Sequence, residues 1–205
     1  VSDDQTVFLV DDEPDVRASI SMLIRSIGLR VETFESPRDF LESYDPERAG
    51  CIVLDMRMPG MSGLQLQERL GQMGLHPPIV MISGHGEIPN AVQAVQNGAV
   101  DFLQKPVNDQ LLLDRVQQAL ALDKENRENH DIATAAQSRY DRLTRRERQV
   151  LSGVVAGKLN KTIAAELDVS TRTIEIHRAN LMEKMEARSL SALMQIVAHV
   201  EFVQE

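Results

Sequence analysis

The hydrophobic and polar positions divide the chain into two patterns. Through residues 1–122, short apolar runs alternate with helical periodicities. TVFLV, RVETF, CIVLD, PIVMIS and VDFLQK have the apolar density and β-branched content of strands. Between them Val16, Ile20, Leu23, Ile24 and Ile27 recur at helical spacing on one stripe, and Ile88, Ala91, Val92 and Val95 recur likewise. Ser36 before Pro37 is a helix start, a capping hydroxyl ahead of a residue that needs no N–H donor in the first turn. It predicts a short helix through residues 39–43. Strand and helix alternating five times predict a parallel sheet, because each parallel return needs a crossover helix that covers a face of the sheet. The expected fold is a doubly wound α/β domain.

Beyond Leu122 the apolar period fades. DKENRENHDIATAAQSRYDR is polar, has no glycine or proline, and is rich in helix-compatible residues. It predicts a continuation of the preceding helix that frays before Tyr140. The remainder reads as all-helical. Thr144 and Glu147 have the spacing of a capping box ahead of Val150, Leu151, Val154 and Val155, with Gly157 as the stop. Ile163, Ala164 and Leu167 mark a second short helix, Ser170 caps a third containing Ile174, His177 and Leu181, and Leu193, Ile196, Val197 and Val200 mark a fourth. The expected divisions are an α/β domain over 1–122, a connecting helix over 123–140 and a four-helix domain over 141–205.

Charge supports this division. Residues 1–122 hold 18 acidic and 9 basic side chains, whereas residues 142–188 hold 10 basic and 6 acidic ones. The net charge of -9 thus belongs to the first domain, and a local positive excess lies in the second. With 42% hydrophobic and 26% charged residues the chain has the make-up of a globular protein rather than of a disordered one. Cys51, the one cysteine, sits in an apolar run and reads as a buried strand residue. No apolar run approaches the roughly 18 residues of a membrane span, and VSDDQTVFLV lacks the features of a signal peptide. A cytoplasmic protein with no membrane partner is expected.

Ligands of open α/β sheets bind beyond the carboxyl ends of the strands. Asp11 and Asp12 follow the first strand and Asp55 ends the third. Lone carboxylates there are ordinary loop residues or caps, but three converging on one point need a counter-ion, and a hard divalent cation, Mg²⁺ above all, fits oxygen ligands. Lys105 adds a positive charge at the end of the fifth strand and Ser83 a hydroxyl at the end of the fourth. This set suits acyl-phosphate chemistry, in which a carboxylate accepts a phosphoryl group whose oxygens are neutralised by cations.

LVDDEPDVR, LDMRMPGMSG, VMISGHG and DFLQKP, in this order, resemble the receiver domain of bacterial two-component response regulators across residues 5–122. The resemblance implies a CheY/flavodoxin-like sheet of order 2-1-3-4-5. It implies Asp55 as phospho-acceptor, Asp12 as direct Mg²⁺ ligand, Asp11 acting through metal-bound water, and the Arg57 backbone carbonyl completing the metal shell, with Mn²⁺ or Ca²⁺ as substitutes. Lys105 would contact the phosphoryl oxygens and form a cis bond to Pro106. Ser83 and Phe102 would form a switch pair, the hydroxyl moving to the phosphate and the ring turning into the vacated space; a plain core aromatic is the alternative for Phe102. Arg57 and His85 would tune autodephosphorylation, and an exposed loop histidine is an equal reading of His85.

LTRRERQVL, GKLNKTIAAELDVS and TIEIHRANLMEKM resemble the LuxR-type helix-turn-helix domain, which joined to a receiver points to the NarL/FixJ family and its FixJ branch. The resemblance implies a recognition helix over residues 171–184 entering the major groove. Asn160, Lys161, Thr171, Thr173 and Arg178 are the expected backbone contacts; Ser170 and Arg172 at the start of that helix suit phosphate, Lys158 and Lys184 lie where they could face the same duplex, and Glu175, Ile176, His177 and Ala179 lie nearest the base edges. Glu175 departs from the lysine of several relatives, and an acid facing DNA needs a donor such as cytosine N4 or a neighbouring arginine. His177 packs beneath the helix in an equal alternative.

The expected function is that of a transcription factor phosphorylated on Asp55 by a sensor histidine kinase, which promotes homodimerisation, promoter binding and, through RNA polymerase, activation. The resemblance offers the side of the first helix and fifth strand, or the fourth helix, as dimer surface. No enzyme activity is expected beyond Mg²⁺-dependent self-phosphorylation and autodephosphorylation. An aspartyl-phosphate phosphatase of the haloacid dehalogenase type would carry a second acid two residues after the nucleophile, where this chain has Arg57. A DNA binder insensitive to phosphorylation is the other alternative.

Overall fold

The computed structural model describes residues 5–84 and 88–200, and the chain divides into two units at Asn126. The first unit contains β1 (Thr6–Val10), α1 (Pro14–Ser26), β2 (Arg30–Phe34), α2 (Pro37–Ser43), β3 (Gly50–Asp55), α3 (Gly63–Gln72), β4 (Ile79–Ser83), α4 (Ile88–Gln96) and β5 (Asp101–Gln104). The next helix, α5 (Asp109–Asp141), begins in this unit and ends in the second, which continues with α6 (Arg145–Val155), α7 (Asn160–Glu166), α8 (Thr171–Lys184) and α9 (Leu190–Val197).

The five strands are all parallel in the order β2-β1-β3-β4-β5. β1, β3 and β4 are buried on both faces, which is why their sequences are apolar runs rather than alternations. Alternate residues enter two cores. Val7, Leu9, Val53 and Val80 meet Ile20, Ile24, Leu112 and Val116 on one face; Phe8, Val10, Leu54 and Met81 meet Phe40, Leu66, Leu70 and Ala94 on the other. Cys51 is fully buried in the first core, and burial pushes its thiol pKa far up, as expected of an inert strand residue. At the amino-terminal edge of the sheet, the carboxylate of Asp123, itself buried, accepts the Gly50 N–H at 2.8 Å and pins α5 to β3.

The predicted stripe on α4 is differently placed. Val92 and Val95 are about half exposed, at 49% and 51%, and among the helix's described side chains the buried one is Ala94. A small residue lets this helix lie close on the sheet and leaves the valines outward. The connecting helix also runs further than expected, to Asp141, because Ala136 and Tyr140 are core residues of the second unit.

In the second unit the Thr144–Glu147 capping box forms in both directions at the start of α6. Its core joins Val150, Leu151 and Val154 of α6 to Ile163, Ile174, Leu181, Leu193 and Val197 of the helices that follow.

Candidate functional site

β1 and β3 end side by side, and their next carboxylates share one cation. The Lys105 ammonium lies 2.7 Å from Asp11 Oδ2 and 2.6 Å from Asp55 Oδ1, with Glu13 at 3.6 Å. The Asp11 side chain is fully buried and that of Asp55 is 5% exposed. The remaining carboxylate oxygens are held by backbone: the Glu13 N–H donates to Asp11 Oδ1 and the Arg57 N–H to Asp55 Oδ2, fixing both carboxylates at their strand ends. Burial pushes the Asp55 carboxyl above its ordinary range and the neighbouring Asp11 adds to this, while the Lys105 hydrogen bond opposes both. For Lys105 burial works against the charged form, but the two carboxylates outweigh it and raise the ammonium's pKa.

Ser83 is fully buried at the end of β4, and its carbonyl accepts the Lys105 N–H at 2.7 Å, which sets the lysine beside the pocket. The Lys105-Pro106 bond is cis. Phe102 on β5 is partly buried against the aromatic-face core. Asp12 is half-buried and, among the described residues, its carboxylate has no hydrogen-bond or ion-pair partner. His85 lies outside the described residues. Gly63, the first residue of α3, donates its N–H to the Met56 carbonyl at 2.9 Å and brings that helix against the end of β3.

Among the described residues no three acidic, histidine or cysteine side chains are grouped closely enough to form a metal centre by themselves. The donor chemistry nevertheless fits Mg²⁺: Asp11, Asp12 and Asp55 carry three negative charges on hard oxygens against the single positive charge of Lys105, and the Asp12 carboxylate is uncommitted. Arg57, two residues past the β3 terminus, would offer its backbone carbonyl as a further hard oxygen.

In the helical unit α8 presents an exposed face containing Thr171, Arg172, Glu175, Ile176, Ala179, Asn180 and Glu183. Ile176 is 51% exposed in the middle of it, and Arg172 Nη1 pairs with Glu175 Oε2 at 3.3 Å, the neutralising arginine that an acid on this face calls for. Ser170 caps α8 through the Thr173 N–H. His177 is half-buried on the flank, between the two alternatives for it. Asn160, the first residue of α7, accepts from Arg178 Nη1 at 3.0 Å, and Lys161 beside it is exposed. Two lysines are engaged within the unit: Lys158 with Glu166 at 2.7 Å, and Lys184 with Glu147 at 2.7 Å. Lys184, expected at the phosphates, is therefore already neutralised by an internal carboxylate. Asn180 and Glu183 belong to the exposed face by their i+4 spacing from Ile176 and Ala179, a signal present in the sequence and missed there.

Glu147 also tests the energetics of this unit. Burial alone would push its carboxyl up, but the hydrogen bond from Lys184 and those from Thr144 outweigh it, and the pKa lies below the ordinary value. A carboxyl depressed in the folded state contributes stability that is complete above its unfolded pKa of about 4.3 and is lost as the pH falls through the lower folded value. Glu147→Gln is therefore expected to lower the stability of the helical unit by about 1–2 kcal/mol at pH 7. It should also flatten the loss of stability below about pH 4.3, which urea titrations across that range measure.

A flavodoxin-like sheet with a lysine-bridged acidic pair at its carboxyl edge, followed by a helix-turn-helix unit, defines a receiver joined to a DNA-binding output. Residues 7–117 match the response regulator receiver domain, and residues 141–197 match the bacterial regulatory proteins of the luxR family. The response regulator protein TmoT of Ectopseudomonas mendocina is 41% identical over 198 residues, which cover 97% of this chain and 90% of TmoT. The transcriptional regulatory protein FixJ of Rhizobium meliloti is 42% identical over 193 residues, 94% of this chain and 95% of FixJ. The solved structure of the response regulator StyR has a TM-score of 0.85 at 45% identity, covering 95% of this chain and 98% of that one. The chain belongs to the NarL/FixJ family of two-component response regulators.

Proposed function

We propose that this response regulator is switched by phosphorylation of Asp55 and that the switch promotes dimerisation and sequence-specific promoter binding, leading to transcriptional activation. The observation that carries the reading is the Lys105 bridge between buried Asp11 and Asp55, a cation held against the carboxylate that this reading makes the nucleophile.

A sensor histidine kinase supplies the phosphoryl group. Asp55 Oδ attacks phosphorus, the bond from phosphorus to the kinase's imidazole nitrogen breaks, and that nitrogen keeps the electron pair. Lys105 turns from bridging two carboxylates to neutralising phosphoryl oxygens. Asp11, Asp12, Asp55 and the Arg57 carbonyl would hold Mg²⁺ (Mn²⁺ or Ca²⁺ in its place), which when bound supplies charge neutralisation for the transferred group. Ser83 then donates to a phosphoryl oxygen, and Phe102 follows into the space the hydroxyl leaves. No second acid stands at Arg57 to drive steady turnover, so the chemistry is self-modification and its slow reversal.

A hollow of about 360 Å³ beside Lys105 and Pro106, floored by Val16, Ile20, Leu23 and Leu112, supports docking of the kinase next to the acceptor. The half-exposed Val92 and Val95 of α4 support a homodimer surface. On α8, Glu175, Ile176, His177 and Ala179 lie nearest the bases and Thr171, Arg172 and Thr173 the backbone, with Asn160, Lys161 and Arg178 contacting phosphates from the flank. RNA polymerase is the further partner of an activator, and the cytoplasm is the compartment where kinase and promoter meet. Among the described residues no helix is long and apolar enough to cross a membrane.

Beryllofluoride with Mg²⁺, which mimics the acyl phosphate, is expected to tighten binding to a duplex enriched from a random pool by about tenfold, measured by fluorescence anisotropy. Equal affinities with and without a beryllofluoride shown to be bound would favour the phosphorylation-insensitive reading.

A further inference from the structure

Few apolar side chains hold α8: within the helix only Ile174 and Leu181 are buried. Polar clamps do the rest. Its C-terminal end is gripped from two other helices, Lys184 by buried Glu147 of α6, and the Lys184 carbonyl by Arg142, just past α5, at 3.0 Å. Glu186, two residues beyond α8, takes Arg139 of α5 on one carboxylate oxygen at 2.8 Å and Arg142 on the other at 3.2 Å. The hydrogen bond from Arg142 and the charge of Arg139 hold its carboxyl below the usual range.

Glu186 makes these contacts from an unfavourable backbone. Its φ is +55°, in the left-handed region, directly after the Met185 C-cap where glycine is the favoured residue. Among the described residues, the other non-glycine with positive φ is Asp168, a type that tolerates the left-handed region better. A long side chain at a strained position, with one oxygen on the last turn of α5 and the other on the residue just past it, points to a role for the side chain itself.

We propose that Glu186 is a positioning residue for DNA reading: it ties the last turn of α5 to the C-terminal end of α8, and so sets the tilt at which Arg172, Glu175 and Ile176 meet the groove. The inference rests on α8 being the reading helix and is independent of phosphorylation.

The test uses the full chain, thermal melts, and anisotropy titrations against two duplexes, one enriched from a random pool by the wild-type protein and one unselected. Glu186→Gly is expected to melt no lower than wild type, because glycine suits the backbone there. It should bind the enriched duplex about three- to tenfold more weakly, in line with two exposed ion pairs, and the unselected duplex as tightly as wild type or more so, since an acid is removed. Glu186→Gln, which keeps an acceptor without the charge, should recover part of the loss. Wild-type affinity of Glu186→Gly for the enriched duplex would overturn the proposal, as would equal fold losses on both duplexes. A wild-type chain that enriches no sequence would remove DNA reading by α8, a failure visible before any variant is made.

Discussion

Asp55→Asn is expected to take up no phosphoryl group from acetyl phosphate and Mg²⁺, while keeping its circular dichroism and melting at or slightly above the wild-type temperature. The first half follows from chemistry: an amide oxygen is a poor nucleophile, and Asp11, buried and bonded to the Glu13 N–H and Lys105, is turned to another task. The second follows from charge. Burial already disfavours the ionised Asp55 carboxyl, and Asp11 repels it, so neutralising it relieves the pocket while Lys105 keeps Asp11 as its counter-ion. Intact-mass spectrometry reads the label and a thermal melt the stability. A label retained by the asparagine variant would move the acceptor elsewhere.

A second large effect is expected from Gly63→Ala. A Cβ at this position would stand 2.3 Å from the Asp55 carbonyl oxygen and 3.1 Å from Met56 Cα, and neither backbone group can turn aside as a side chain would. Relief requires α3 to withdraw from the end of β3, which breaks the Gly63 N–H to Met56 carbonyl hydrogen bond and shifts the acceptor aspartate. The expected cost is about 3 kcal/mol in urea unfolding, at the upper end for an added methyl, with a matching fall in labelling rate. A loss within about 0.5 kcal/mol would show that the strand end yields easily.

The strands were legible because β1, β3 and β4 are covered on both faces and must be continuously apolar. The positions of Asp11, Asp55, Ser83 and Lys105 followed directly, since a strand's last residue fixes which side chains stand at its carboxyl edge. The α4 stripe misled because periodicity gives an apolar side and not its direction; Ala94 faces inward and the larger valines outward. The end of α5 was hidden for a related reason: its polar run is helical beyond the expected fraying point, and Ala136 and Tyr140 reveal their burial only once the helices they touch are placed. Lys184 read as a DNA cation because its distant partner, Glu147, was already assigned to a cap; one carboxylate does both. The Glu186 cluster was beyond reach of the sequence, being a left-handed backbone and two arginines more than forty residues away.

The chain has no tryptophan and two tyrosines, and these fall one to each unit. Tyr44 stands edge-on to Phe8 and is tilted against Phe40, at centroid distances of 5.5 and 4.7 Å, on the receiver sheet. Tyr140 is buried in the helical unit with the Arg148 guanidinium 4.8 Å from its ring centre. Intrinsic tyrosine emission is thus a reporter already present in the protein, with one contribution from each unit. Tyr44→Phe leaves the output unit alone in the signal, so the separate melting of input and output is readable without any attached dye.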